Sequence, residues 1–485
     1  MYNEYTIELV RVERGVGMKN KLLAWLIPIV IGLALWFSPV PAGIKPVAWQ
    51  LTAIFVATIV AFVTSPMSMG ALSLVAITVV ALTKVMSIGG ALSGFANSTI
   101  WLIVAAFMLS RGFIKTGLGK RIAYLLIKMF GKNSLLLSYT LLASDLLIAP
   151  ATPSNTARAG GVIYPITKSL ASAFGSEPGD GTARRIGAFL MQVVYQGNTV
   201  TSAMFMTAMA GNTLIVQLVA SSFKIELSWM GWMMAALVPG LVSLFLIPLV
   251  LYKIYPPELK DTREAQGLAA VELEKMGPIS KAEKIMLLVF IACLVLWATA
   301  TITKIDATTV ALFGVSVLLM TDVINWKDVK AEEGAWDTLI WMGTLIALAT
   351  ELNKLGVIKW LAEMAGASMA GVPWFTAFAL MLAIYMYIHY AFASLSAHVA
   401  ALYIAMTSVV IGLGAPVMLT LLAFAFVSNL CMTLTHYAAG PSPIIFGSNY
   451  VTQGEWWKLG FIFSIIYLVV WVGLGAAWWK VLGLW

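Results

Sequence analysis

Two cysteines in 485 residues are too few for a disulfide framework, and Cys293 and Cys431, both inside apolar segments, give no zinc spacing. Charge is also scarce. Asp, Glu, Lys and Arg make up 11% of the chain, against ~25% in soluble domains, so water cannot be the solvent for most of it. Alternating strand patterns of ~10 residues are missing, which excludes an outer-membrane barrel. No cleavable signal sequence is expected, because the first apolar run is too long and lacks a small-residue cleavage site. Metal-ligand spacings, a nucleophile elbow and a soluble catalytic domain are missing too. An enzyme is therefore not expected, and neither is a metal or an organic cofactor.

What the chain has instead is apolar length. It is 60% hydrophobic with mean hydropathy +0.91. The runs 22–40, 46–64, 70–88, 229–252, 281–303 and 458–480 each reach the ~18 residues or more that cross a ~30 Å hydrocarbon core as helix. The expected fold class is an all-α polytopic membrane protein, with about 11 transmembrane helices plus two re-entrant hairpins. A net charge of +8 would point to nucleic acid in a soluble protein. Here the cations cluster at helix ends, as topology signals do, so the partner is the bilayer and no nucleic acid is expected. Arg111, Lys115, Lys120, Arg121, Lys128 and Lys132 form one cluster without an acid, and Arg11, Arg14, Lys19 and Lys21 another. Both read as cytoplasmic.

The polar stretch 253–280 reads as a cytoplasmic linker between two halves. Residues 1–21 form an N-terminal cytoplasmic segment, 22–252 a first repeat and 281–485 a second, inverted one. "STIWLIVAAFMLSRGFIKTGLGKRIA" (98–123) resembles "DTLIWMGTLIALATELNKLGVIKWLA" (337–362), with Trp101 against Trp341 and Gly117 against Gly356. The offset is about 240 to 260 residues throughout, and repeats of this span mark secondary transporters.

"APATPSNTARAGG" (149–161) places polar residues in an apolar region, and "FASLSAHVAALYIA" (392–405) does so in the second half, with Ser396 opposite Ser154. The flanking arms look too short to span, so re-entrant hairpins are expected, with tips at 152–156 and 394–398. Non-helical backbone at membrane depth is tolerated only inside protein or beside a cavity, which makes the tips site candidates. A second pair of breaks follows in "FMTAMAGNTL" (205–214) and "SNLCMTLTHYAAGPSPIIFG" (428–447). Half-helices that start at the midplane aim free N–H groups and a positive dipole end at the site. With Ser, Thr and Asn donors beside them, a small dianion is the expected ligand, and unwound carbonyls would suit Na⁺.

"PSNTAR", "FASLSAHVA" and "LTHYAAGPSPIIFG" resemble the divalent anion:sodium symporter family over almost the whole chain from Leu22. The exchanger branch is the most similar part, comprising bacterial citrate/succinate and tartrate/succinate antiporters and plastid 2-oxoglutarate/malate translocators. The resemblance implies a homodimer with scaffold and transport domains that work as an elevator. It implies exchange of C4–C6 di- and tricarboxylates, while Met18-Lys19-Asn20-Lys21 would make a normal bacterial inner-membrane start, so that membrane is the expected location. Ser154, Asn155 and Thr156 would then contact substrate carboxylate. In the second motif Ser396 is kept, followed by Ala397 and His398 where sodium-coupled members usually have Asn and Thr. Pro150 stands where cotransporters tend to carry a hydroxyl. Sodium-independent antiport is therefore expected, with His398 substituting for a cation; a sodium-coupled dicarboxylate symporter is the alternative.

Thr207, Thr433, Gly440 and Pro441 complete the expected substrate-binding set, with Asn212 and Thr435 as neighbouring break residues. Asp145 and Arg158 flank the first tip and read as an ion pair that locks the hairpin. Arg158 as a direct bidentate carboxylate ligand is the other possibility. His436 reads as either a site or a capping residue, and His389 as structural. Trp456, Trp457, Trp478 and Trp479 read as interface anchors.

Overall fold

Inside a bilayer the backbone has no water to bond, so a chain this apolar satisfies its N–H and C=O groups within helices. The computed structural model describes residues 18–368 and 371–485, and most of the expected cytoplasmic segment 1–21 lies outside them. Among the described residues, eight helices are long and apolar enough to cross a membrane, and four shorter apolar ones accompany them. The chain is an all-helical polytopic membrane protein.

The first part comprises α1 (Met18–Phe37), α2 (Pro46–Thr64), α3 (Met69–Leu82), α4 (Ser98–Thr116) and α5 (Leu118–Phe130). Helix α4 begins where the Asn97 side chain accepts from the N–H groups of Thr99 and Ile100. It stops at Gly117, whose φ of +76° is the left-handed conformation that glycine adopts without strain. A hairpin follows, with α6 (Ser134–Ile148) as its first arm and α7 (155–173) as its second. Then come α8 (Gly187–Met204), a break at 205–209, α9 (Ala210–Phe223) and the long α10 (Trp229–Ile254).

The linker contains α11 (Arg263–Met276). Beyond it a similar succession follows, with four of these helices rather than five before the hairpin: α12 (Lys281–Ala298), α13 (Ala307–Met320), α14 (Glu333–Lys354), α15 (Val357–Ser368), then a hairpin of α16 (Trp374–Tyr387) and α17 (Leu395–Gly412). The end of the chain is α18 (Val417–Leu430), a break at 431–440, α19 (Pro441–Phe446) and α20 (453–481). Helix α8 is buried along its whole length and α18 from Leu419 onward, so these two form the centre. Helix α1 exposes Leu26, Leu33 and Phe37, as contact with lipid requires.

Two expectations change, and two others gain detail. The arms are not short: Trp374–Ala391 and Leu395–Gly412 have 18 residues each, enough to cross, so it is the coil at the tip that marks the hairpin. Trp456 and Trp479 are not interface anchors but core. Trp479 donates to the carbonyl of Ala235 at 2.8 Å and fastens α20 to α10. The basic cluster finds acids elsewhere in the chain. Arg121 on α5 reaches Glu283 at the start of α12 (Nε–Oε1 2.6 Å), and Lys115 reaches Asp328 at 2.6 Å.

Finally, the linker is tied down. Ser134 N donates to Lys260 O at 2.9 Å, Thr262 N to Lys132 O at 3.1 Å, and Thr262 Oγ1 to Gly131 O at 3.0 Å. These bonds and the isolated bridge between Asn133 and Asp261 zip the entrance of α6 to the exit from α10.

Candidate functional site

Each hairpin turns by the same means. Helix α6 tightens into a 3₁₀ turn at Ala149–Ala151, runs as coil through 152–154, and restarts as α7 with Ser154 as N-cap, its hydroxyl accepting from Ala157 N at 3.1 Å. Helix α16 tightens at Ile388–Ala391, runs as coil through 392–394, and restarts as α17 with Ser394 as N-cap, accepting from Ala397 N at 3.3 Å. The caps set the register. Ser394, not Ser396, is the counterpart of Ser154. Leu395 then stands at the position of Asn155, Ser396 at that of Thr156, Ala397 at that of Ala157 and His398 at that of Arg158. Burial follows the same register: Ser154, Thr156, Ser394 and Ser396 are half-buried, and Asn155 and Leu395 are buried. Most of the expected tip 394–398 is thus the first turn of α17, because Ser394 already caps it.

The two tips and the two breaks line an open cavity of about 160 Å³. Pro153, Ser154 and Asn155 line it from one tip, and Ala393, Ser394, Leu395 and Ser396 from the other. Met209 comes from the first break and Ala210 from the start of α9, Ala439 and Gly440 come from the second break, and Phe107 of α4 also lines the cavity. No lining residue carries a formal charge. The donors are hydroxyls, an amide, and the first-turn N–H groups of α7 and α17, which have no carbonyl acceptor in their own helices. Such a neutral, donor-rich space suits an anion. Its size is well below the ~300–1,000 Å³ of pockets for drug-sized ligands.

The first tip also meets the second break. Asn155 Nδ2 lies 3.7 Å from Met432 Sδ, and a Cβ on Gly440 would collide with Thr156 Oγ1. Gly440 is therefore required for the close approach of the two elements. Pro441 opens α19, where its missing N–H has no cost.

Behind the first tip lies Arg158, fully buried. Its Nε donates to Asp145 at 2.8 Å, Nη1 to the carbonyls of Thr152 (2.9 Å) and Ala208 (3.2 Å), and Nη2 to Thr201 (3.2 Å) and Ser202 (2.9 Å). All five N–H groups are used, so no fork is left for a carboxylate of substrate. The guanidinium instead joins both arms of the hairpin to α8 and the first break. Asp145 is completed by Asn198 and Thr201.

His398 does not line the cavity. It is buried, with its Nδ1 2.7 Å from His389 Nδ1, while His389 Nε2 lies 3.1 Å from the carbonyl of Ala438 in the second break. That carbonyl needs a donor, so His389 carries its proton on Nε2. In the neutral pair His398 then donates from Nδ1, and its Nε2 has no partner. The expected cation substitute is thus one residue removed from the break carbonyl, and it is Arg158 that donates to the carbonyls of Thr152 and Ala208. Among the described residues, His389, His398 and Cys431 form a group that could hold a metal ion.

The other expected residues sit in the supports. Thr207 donates to the carbonyl of Pro150 and accepts from Trp229 Nε1, and Thr433 donates to Gln196 at 2.8 Å. Asn212 donates to the carbonyls of Ser202 and Phe205 and accepts from Asn429 at 2.7 Å, which joins the two broken helices. Ala397 is buried and gives its N–H to Ser394, Thr435 Oγ1 has no partner, and His436 accepts from Trp457 at 3.1 Å. Sequence reasoning missed Ser394, Gln196, Thr201 and Ser202. The signal for the last three was the run of polar residues inside "MQVVYQGNTVTS" (191–202), all of it buried in α8.

Residues 19–485 match the family model described as the sodium:sulfate symporter transmembrane region. The YflS protein of Bacillus subtilis, a transporter named provisionally for malate, is 52% identical over 475 residues, covering 98% of this chain and 99% of that protein. The chloroplastic dicarboxylate transporter 1 of Spinacia oleracea is 46% identical over 462 residues, covering 95% of this chain and 81% of that protein. Among solved structures, the efflux pump MtrF of Neisseria gonorrhoeae superposes with a TM-score of 0.56 over 94% of both chains at 13% identity, a likeness of fold alone.

Proposed function

The chain belongs to the family of the sodium:sulfate symporter transmembrane region, and from that premise we propose that this transporter exchanges small dicarboxylates without sodium. The dicarboxylate part draws on the names of relatives and on the neutral, donor-lined cavity of about 160 Å³ between the tips. Two carboxylates face two capped helix starts, one at Ser154 and the other at Ser394. Tricarboxylates belong to the same chemistry where the cavity opens further.

The observation that carries the sodium-independent part is Arg158. Carbonyls freed at a hairpin tip and a helix break are the groups that would coordinate Na⁺. Here the carbonyls of Thr152 and Ala208 accept from Arg158 Nη1 instead, and that of Ala438 is held by His389. A covalently attached donor neither enters nor leaves with the substrate. Without substrate the lining N–H and O–H groups have only water as partner, and each would cost ~1–3 kcal/mol if carried unpaired into the bilayer interior. The empty site therefore resists crossing the bilayer and the loaded one does not, which enforces exchange.

The mechanical part of the proposal is an elevator. The hairpins and broken helices, tied by Arg158 and by Asn212–Asn429, form the moving body. The scaffold is α1–α4 with α12–α14, in a homodimer of two inverted repeats, 22–252 and 281–485, seated in a bacterial cytoplasmic membrane. The test is labelled malate or succinate uptake into proteoliposomes, empty or preloaded with unlabelled dicarboxylate, in sodium or in potassium. Uptake only into loaded vesicles, equal in both salts, is expected. Sodium-driven uptake into empty vesicles would establish symport and overturn the role given to Arg158.

A further inference from the structure

Behind the second tip, outside the cavity, three soft or borderline ligands converge from three elements. His389 ends the first arm, His398 lies in the first turn of α17, and Cys431 opens the second break. All three are buried. Their ligating atoms lie within 4.8 Å of one another, with His398 Nδ1 2.7 Å from His389 Nδ1 and 3.8 Å from Cys431 Sγ. An ion ~2.0 Å from each nitrogen and ~2.3 Å from sulfur, in a trigonal arrangement, sets N–N near ~3.5 Å and N–S near ~3.7 Å. The Cys431–His398 distance already matches. The His–His distance needs to open by less than an ångström.

Two further features fit a metal. The Ala438 carbonyl holds the N–H of His389 on Nε2, which leaves Nδ1 as a lone pair facing His398. A carbonyl on the far nitrogen is the usual outer-shell support of a ligating histidine. The His398 ring is fixed between Tyr385 (4.3 Å) and Phe392 (5.0 Å).

The charge balance selects the ion. No Asp, Glu, Lys or Arg occurs anywhere from Met364 to Gly454, so both hairpin arms, α18 and the second break are free of fixed charge. A buried site of this kind favours a neutral complex. Two neutral imidazoles, one thiolate and a monovalent cation sum to zero, whereas Zn²⁺ would leave one positive charge unpaired. Thiolate with imidazole suits a soft monovalent ion.

We propose that His389, His398 and Cys431 form a binding site for Cu(I). On binding, the Cys431 S–H bond breaks and its proton leaves as the S–Cu bond forms. His398 binds through Nδ1, and its own proton moves to Nε2, the nitrogen that is otherwise bare. No oxidation or reduction is involved. The bound ion staples both arms of the second hairpin to the broken helix.

The test uses the purified full chain in nanodiscs, titrated anaerobically with Cu(I) against a chromophoric Cu(I) chelator. One equivalent is expected to bind. Cys431→Ser should weaken binding by more than the ~10–100-fold that loss of an outer-shell partner costs. Cys293→Ser, which removes the other cysteine, on α12, should bind as the parent does. No competition against the chelator, or binding lost with Cys293 and kept without Cys431, overturns the site. X-ray absorption on the unsubstituted chain decides the case independently of whether the variants fold. One sulfur and two imidazole nitrogens are expected around copper, and two sulfurs or a shell without sulfur overturns it.

Discussion

Replacing Arg158 by Gln tests the lock and the coupling together. Arg158 makes five hydrogen bonds with no exposure to solvent, and one partner is the carboxylate of Asp145, itself buried. Breaking a buried pair by removing one member costs ~3–5 kcal/mol, because the other charge is left alone. That is roughly a hundredfold to a few thousandfold in the folded ratio. Much of the cost comes from Asp145. An asparagine in its place would be neutral and would still accept from Asn198 and Thr201, so Asp145→Asn combined with Arg158→Gln should recover most of the loss. The assay is the temperature at which half of the purified carrier loses monodispersity, measured for the parent, both single variants and the double. The expected order places Arg158→Gln lowest and the double variant above it. A single variant as stable as the parent, or a double no better than the single, would refute the reasoning. The double variant also frees the carbonyls of Thr152 and Ala208, so uptake into proteoliposomes should become sensitive to sodium.

Three other outcomes follow from the same geometry. Ser394→Ala should resemble Ser154→Ala, with ~0.5–2 kcal/mol of helix-start stability lost in each and raised KM for dicarboxylate in exchange assays; if only Ser396→Ala has that effect, the cap-based register is wrong. Gly440→Ala puts a Cβ into Thr156 Oγ1, and overpacking of this kind costs ~1–3 kcal/mol. Exchange should fall, and Thr156→Ala in the same chain should restore part of it, with rates at saturating substrate as the readout. Glu283→Gln removes the charge partner of Arg121 and should destabilise the carrier, with recovery in the Arg121→Met, Glu283→Met pair, as thermal monodispersity would show.

The paired hairpins and broken helices were legible because polar, Gly and Pro residues stand out against an apolar background, and their order is kept in both halves. The register of the second tip was not legible. "FASLSAH" contains two serines two residues apart, and only the hydrogen bond from Ala397 N to Ser394 decides which one starts the helix. The direction of His398 was hidden for the same reason: its partner His389 is on the opposite arm, and facing across a hairpin is set by packing rather than by spacing. The ion pair of Asp145 with Arg158 could be read from their positions around the tip, yet its reach into α8 and the first break could not. Trp456 and Trp479 show the limit of composition, since an indole serves a core as well as a membrane interface.

The zipped crossing at Gly131–Ser134 and Lys260–Thr262 has its own consequence. The chain enters the first hairpin by one of these segments and leaves α10 by the other. Bonded side by side, they act as one joint with a single axis, like two leaves on the same pin. Any swing of the first hairpin at this end carries the linker with it. If the first hairpin moves as proposed, the linker helix moves with it, although it lies far from the tip in sequence.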